Sequence, residues 1–369
     1  MIKKSFFILI TFFFLNILHG QDPQFSQFYN SSLFTNPAFT GTGECFKVGT
    51  NSRTQWLGLT RAFNTTLIYG DVNYETLNSG FGFMVLYDQI GRANLSSLEL
   101  SGLYSYHLDI AKDVHVSLGL QGTYARRSID YSRLLFEDQF TDLAVTEDIT
   151  ADPVRFNTSV QYFDLSSGLL IYGKDLFWLG ASFHHINEPE QAFFLSPSKL
   201  PVRISIHGGL KFEKIIKKAY GRVTHFTVYP SILYKREVRF DQADYGVYFF
   251  IDKLMLGMFY RGVFFENTEG IVNNDALSFH LGFTTKGWNF YYSYDFTTSR
   301  LKVQNTLGSH ELSISKTFCL GWPYKKKTPK SKRYLPCPEF KPSIRHKDPT
   351  GLGKKKNPGV KNKHRHSKK

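Results

Sequence analysis

The 369-residue chain has only three cysteines, Cys45, Cys319 and Cys337. Three thiols cannot build a disulfide framework, and their spacing matches no zinc pattern. Beyond the first twenty residues no stretch approaches eighteen apolar residues, so the sequence offers no membrane-spanning helix. A mean hydropathy of −0.26 argues against a bundle of such helices. There is no nucleophile elbow, P-loop, dinucleotide fingerprint or HExxH motif, so no enzyme class is signalled. Charged residues are sparse, at 21 %. Aromatic side chains are abundant instead: 35 Phe, 21 Tyr and 4 Trp, or 16 % of the chain. Such a composition is too aromatic and too charge-poor for a mostly disordered protein. The length suits one large domain or two ordinary ones.

Charge is unevenly placed. From Lys325 to Lys369 there are 17 Lys and Arg against two acids, Glu339 and Asp348, a net of +15. Residues 21–324 carry a net of −3. The body is near neutral, and the basic character belongs to the tail. The chain opens with MIKKSFFILITFFFLNILHG: two lysines, an apolar run from Ser5 to Leu18, and a small residue at Gly20. This pattern predicts a secretory signal peptide over residues 1–20, removed before Gln21. The apolar run is shorter than the roughly 20 residues a spanning helix needs. An exported chain without spanning helices is either soluble or a β-barrel.

Period-two alternation favours the barrel. Phe81, Phe83, Val85 and Tyr87 alternate with Gly80, Gly82 and Met84. Leu118 and Leu120 alternate with Ser117, Gly119 and Gln121. Phe279, Leu281 and Phe283 alternate with Ser278, His280, Gly282 and Thr284. One face is apolar and aromatic; the other holds small and polar residues. That suits lipid outside, a polar lumen inside and aromatic girdles at the interfaces. The competing architecture is a secreted β-sandwich. Strands are expected at about 44–54, 61–73, 79–88, 94–108, 114–128, 162–172, 176–186, 201–213, 224–236, 240–250, 253–263, 274–285, 288–297 and 307–319, fourteen in all. An even number fits a single-chain bacterial barrel. Short links such as Ala111-Lys112-Asp113, Gly173-Lys174-Asp175, Asp252-Lys253 and Lys286-Gly287 alternate with longer ones such as 129–161 and 187–200. Short turns face the periplasm in such barrels. Both termini are therefore expected there.

Residues 21–41 read QDPQFSQFYNSSLFTNPAFTG. This segment closely resembles the opening of the PorP/SprF family of type IX secretion system outer-membrane proteins. The resemblance is carried by Gln21, Asp22, Pro23, Gln24, Phe25, Ser26, Gln27, Phe28 and Tyr29, then by Asn36, Pro37, Ala38 and Phe39 with Gly41. Weaker echoes are GASFHHINE (180–188), Leu200-Pro201, Tyr229-Pro230-Ser231, and Ser309-His310-Glu311-Leu312. Cys337-Pro338-Glu339-Phe340 is similar to a CPxF ending, and the basic stretch Lys341–Lys369 departs from the family pattern. The resemblance implies a non-enzymatic outer-membrane barrel that supports secretion of large surface adhesins, some of them used in gliding, and associates with periplasmic machinery. It brings no catalytic residue and no cofactor.

The expected organisation is all-β. A signal peptide (1–20) precedes an N-terminal plug or lead segment (21–43). A transmembrane antiparallel barrel of about fourteen strands, FadL-like in outline, follows (44–320), and then a basic periplasmic tail (321–369). Residues 21–43 hold two prolines and five aromatics (Phe25, Phe28, Tyr29, Phe34, Phe39) without clean alternation. Pro removes a ladder donor, so the segment is no lipid-facing strand, and its aromatics favour burial in the lumen. A flexible periplasmic lead peptide is the plainer reading.

The tail is too polar to build a core and is expected to be disordered alone. Its cations Lys325, Lys326, Lys327, Arg333, Arg345, Lys354, Lys355, Lys356 and Arg365 suit an acidic periplasmic protein, peptidoglycan or anionic headgroups. A merely solubilising tail is nearly as good a reading, and nucleic acid is a poor partner for an exported chain. The loop Asp130–Pro153 is acidic but lacks ordered calcium-ligand spacing. His184 and His185 are expected on opposite strand faces, which defeats joint metal ligation. His364 and His366 lie among cations that repel a metal. No metal site is assigned. Arg203, His207, Lys211 and Asp295 are expected to line the lumen or to meet the N-terminal segment. At least one thiol stays unpaired, and a Cys319–Cys337 bridge is one open pairing. Two functions remain in view. One is a secretion subunit that anchors periplasmic components or docks adhesin cargo. The other is a FadL-like transporter of small hydrophobic solutes, since that family is similar in its strand number and its Asn-Pro-Ala segment. A general porin is a third and weaker reading.

Overall fold

The computed structural model describes residues 22–43, 45–59, 62–91, 93–111, 113–140, 150, 158–173, 176–193, 197–217, 223–238, 240–268, 271–299 and 303–319. The signal peptide, Gln21, most of the acidic loop's middle, Cys337 and the basic tail lie outside the described residues.

Alternation becomes strand almost throughout. In chain order the strands are β1 (Phe46–Gln55), β2 (Phe63–Tyr74), β3 (Ser79–Ile90), β4 (Leu95–Ala111), β5 (Val114–Ser128) and β6 (Ser159–Gly173). Next come β7 (Phe177–His184), β8 (Arg203–Leu210), β9 (Phe212–Lys217), β10 (Val223–Glu237) and β11 (Phe240–Ile251). The last are β12 (Leu254–Thr268), β13 (Ile271–Thr285), β14 (Trp288–Thr297) and β15 (Ser309–Phe318). The sheet is antiparallel, and β15 returns to β1 with Phe318 opposite Phe46, so it closes.

The wall has fourteen staves, because β8 and β9 share one. Gly209 pairs with Ser231 of β10, and Phe212 pairs with Val228 of the same strand. That common register sets Pro230 opposite Leu210, and Pro230 has no N–H to give the ladder. The break at Lys211 follows. The stave expected to end near residue 213 therefore continues to Lys217.

Closure of β15 on β1 leaves the barrel no free edge along that seam, as a bilayer requires. Outward positions are apolar: Leu118 and Leu120 on β5, and Phe279, Leu281 and Phe283 on β13, are exposed. Inward positions on these two strands are small or polar: Ser117, Thr123, Ser278, His280 and Thr284 are buried. No described helix is long and apolar enough to cross a membrane.

Cys45 and Cys319 lie at the end of the barrel that also carries the short β11–β12 and β13–β14 turns. They form a disulfide with Cα atoms 4.9 Å apart. This corrects the Cys319–Cys337 option. Closure of the first strand on the last turns a sequence separation of 274 residues into adjacent chain ends.

Candidate functional site

Residues 22–43 run through the interior of the barrel. Pro37 cannot continue a ladder, so the segment folds into short turns: one helical turn at Ser32–Thr35 and a 3-10 turn at Pro37–Phe39. Asn36 Oδ1 caps the second turn by accepting from Ala38 N at 2.8 Å. Gly41, at φ +66°, turns the chain with a backbone conformation that suits glycine.

One half of the segment rests on a seat of small residues. Ser182, Ser117 and Ser105 donate to the carbonyls of Thr35 (2.7 Å), Ala38 (2.7 Å) and Thr40 (2.6 Å). Asn36 Nδ2 lies 3.1 Å from both Leu169 O of β6 and Ala181 O of β7, and 3.0 Å from His207 Nε2. Phe39 stacks on the His207 ring at 5.0 Å. A Cβ on Gly119 would overlap Ala38 N, and one on Gly168 would overlap Asn36 Oδ1. Glycine at these two inward positions lets the backbones touch.

The other half is held by charge. Ser26 Oγ donates to Asp295 (2.5 Å), and Ser26 N and Gln27 N donate to Glu311 (2.6 and 3.2 Å). Arg53 pairs with Asp295 at 2.9 Å, and Arg261 with Asp244 at 2.6 Å and Asp295 at 3.1 Å. Gln24 reaches Gln242 and Arg261 through its side-chain amide. Aromatics fill the space between: Phe28 meets Phe259 edge-on at 5.6 Å, and Tyr29 meets Tyr248 at 4.9 Å.

Asp22 reaches the far end of the lumen from Cys45. Its carboxylate accepts from His185 Nε2 (2.7 Å) and Arg203 Nη1 (2.6 Å), and its N–H lies 3.4 Å from Glu237 Oε2. Burial opposes ionisation of Asp22, but His185 and Arg203 outweigh it and hold the carboxyl well below the usual range. Burial likewise opposes the His185 cation, and Asp22 and Asp164 lift its pKa to about 10.

The two histidines do not point to opposite faces. β7 ends at His184, and His185 takes φ +58°, which ends the alternation. Both rings turn inward, 6.3 Å apart, with His184 on Thr35 O and His185 on Asp22. Among the described residues no group of three His, Cys, Asp or Glu side chains could hold a metal ion. Of the lumenal candidates, Arg203, His207 and Asp295 meet the segment, whereas Lys211 pairs with Glu213 at the stave break (3.0 Å).

Arg53, Arg261 and Glu311, which the sequence reading did not single out as lumenal, form much of the seat. Their signal is a charged side chain at inward parity on a strand. Two cavities beside the segment measure only about 10 and 30 Å³, room for a water or two.

Residues 17–315 match the model of the type IX secretion system membrane protein PorP/SprF family. The chain belongs to this family. Among solved structures, this PorP/SprF protein is similar to the P. putida toluene transporter TodX, at 10 % identity and a TM-score of 0.41, covering 78 % of this chain and 94 % of that one. A Pseudomonas aeruginosa FadL homologue is similar at 10 % identity and a TM-score of 0.42, with coverages of 78 % and 94 %. The KdgM porin is similar at 8 % identity and a TM-score of 0.34, covering 74 % and 99 %. No curated protein sequence matches the PorP/SprF chain.

Proposed function

We propose that this outer-membrane barrel is a non-enzymatic subunit of the type IX secretion and gliding machinery. It anchors periplasmic components or docks secreted adhesin cargo through its rims and tail. The observation that carries this reading is the family membership joined to a lumen filled by the chain's own residues 22–43. A filled lumen supports the reading of residues 21–43 as a plug, with the work done at the two mouths. It also weighs against the small-solute transporter, because the two cavities beside the segment, of about 10 and 30 Å³, are each too small for a hydrophobic solute.

Short turns at the end that carries Cys45 and Cys319 support a periplasmic location for the C-terminal tail, whereas Asp22, at the opposite end of the lumen, speaks against the same location for the start of residues 22–43. The tail then meets acidic protein surfaces or peptidoglycan. Lys325, Lys326, Lys327, Arg333, Arg345, Lys354, Lys355, Lys356 and Arg365 are its binding cations.

The test is affinity purification from detergent-solubilised outer membrane, with mass spectrometry of co-purifying proteins. Truncation after Phe340 should leave the barrel folded and inserted yet weaken capture of a periplasmic component. Capture by the intact chain should fall as salt rises from about 0.05 to 0.5 M, because screening shortens with ionic strength. Identical partners for both chains at both salts would reduce the tail to a solubilising extension. Protease cutting of the tail on intact cells would reverse the orientation.

A further inference from the structure

At the mouth that carries Cys45 and Cys319, the wall stands higher on one side. β7 stops pairing at Phe177, opposite Leu210, and one more bond runs from Lys211 N to Leu176 O (2.7 Å). From Phe212 to Lys217, β9 pairs with β10 alone. Residues two apart in a strand turn their N–H and C=O to the same edge. Lys211 faces the β7 side, so the main chains of Glu213, Ile215 and Lys217 face an edge on which no described strand lies.

Both faces of this hairpin are open as well. Ile215 is 55 % exposed and Ile216 is 41 % exposed. Ile215 has inward parity, so its exposure means the hairpin projects beyond the contents of the lumen. A two-stranded hairpin with isoleucines bare on both faces is marginal in water, and an open edge is a template for another strand.

The charge is one-sided. Between Lys211 and His225 the sequence holds five Lys and Arg against the single acid Glu213. That acid is already engaged by Lys211 (3.0 Å) and His225 (3.2 Å).

We propose that the outer edge of β9 is a docking strand for an acidic, extended segment of another protein. The segment adds to the sheet through the main chains of Glu213, Ile215 and Lys217, covers the isoleucines and neutralises the basic hairpin. Charge selects this occupant: the chain's own tail, at +15, and the hairpin of a second copy are both repelled. A lipid surface would match the charge but would leave the main-chain edge unused. That the partner is periplasmic rests on the orientation proposed above; the edge itself does not.

The test uses the full-length protein in nanodiscs and a labelled nine-residue peptide of alternating Glu and Val. Binding should slow amide exchange at residues 213, 215 and 217. Ile215→Pro removes an outward donor while leaving the bonds to β10, and should weaken binding at least tenfold. Lys214→Glu should weaken it too. The same peptide with alternate amides N-methylated should fail on the unaltered protein, a comparison independent of how any variant folds. If Ile215→Pro and N-methylation both leave binding unchanged, the peptide is held by charge alone, on the tail or elsewhere, and the proposal fails. It fails equally if Lys214→Glu lowers attachment to phosphatidylglycerol vesicles while no peptide binds, because the hairpin is then a membrane contact.

Discussion

Asn36 serves two structures with one amide. Its oxygen caps the turn of its own segment, and its nitrogen reaches carbonyls of two wall strands. Asn36→Ala leaves a buried N–H unpaired and should cost about 1–3 kcal/mol. The readout is the temperature at which heat-modified gel mobility changes; an unchanged midpoint would make the amide's bonds dispensable. His185 gives a pH prediction with a definite sign. Its pKa rises from about 6.5 in an unfolded chain to about 10 beside Asp22 and Asp164. The pair's contribution is therefore full below about pH 6.5, shrinks as pH rises, and is lost through about pH 10. Asp22, held low, keeps its own contribution above about pH 4 and loses it in acid. The thermal midpoint should fall between pH 7 and 10, and His185→Asn should flatten that fall. Equal slopes in the two proteins would remove His185 from the account.

At the scale of the element, alternation decides what each strand position tolerates. Leu118 faces outward and should cost roughly 2–4 kcal/mol as Arg if it lies near the bilayer midplane. Gln121 faces inward, beside the cavity that Asp164 and Glu99 also line. An arginine there finds acids and water, so Gln121→Arg should cost much less. Equal losses of heat-modified mobility would contradict the assignment of faces. The strand pattern was legible where, as on β5 and β13, inward positions are small or polar and outward ones apolar; inward Tyr248 and Phe259, which pack on Tyr29 and Phe28, depart from that rule. It failed where a strand ended: His185 leaves the alternation through a left-handed turn, which no periodicity announces. The break at Lys211 was equally hidden, because Pro230 acts across the ladder from the neighbouring strand.

For the whole molecule, the seam between β1 and β15 joins the two ends of the barrel sequence. The disulfide sits just beyond the last rung, where Phe46 and Phe318 stack at 6.1 Å. A link closing so long a loop restricts the unfolded chain strongly, and such links typically contribute about 2–4 kcal/mol. Cys45→Ser should lower the unfolding midpoint of the inserted barrel, and reductant should lower the unaltered protein to the same level. A variant that matches the oxidised protein would make the bridge neutral.

The sequence by itself determined the barrel, the polarity of its faces, its fourteen staves and the basic tail. These follow from local rules: the two-residue period of a strand, the cost of an unpaired backbone group in lipid, and the like charge of the tail. The opening motif also marked the family. The sequence pointed to burial of five aromatics between Phe25 and Phe39 but could not say against what. Only the tertiary structure decided that Gly119 and Gly168 form the floor under Asn36 and Ala38, that Arg53 and Arg261 meet at Ser26 and Asp295, and that Cys45 bridges Cys319. Each of these joins residues far apart in the chain. The reason is register: closing the sheet sets which distant residues share a rung or face one another across the lumen, and no local pattern carries that information.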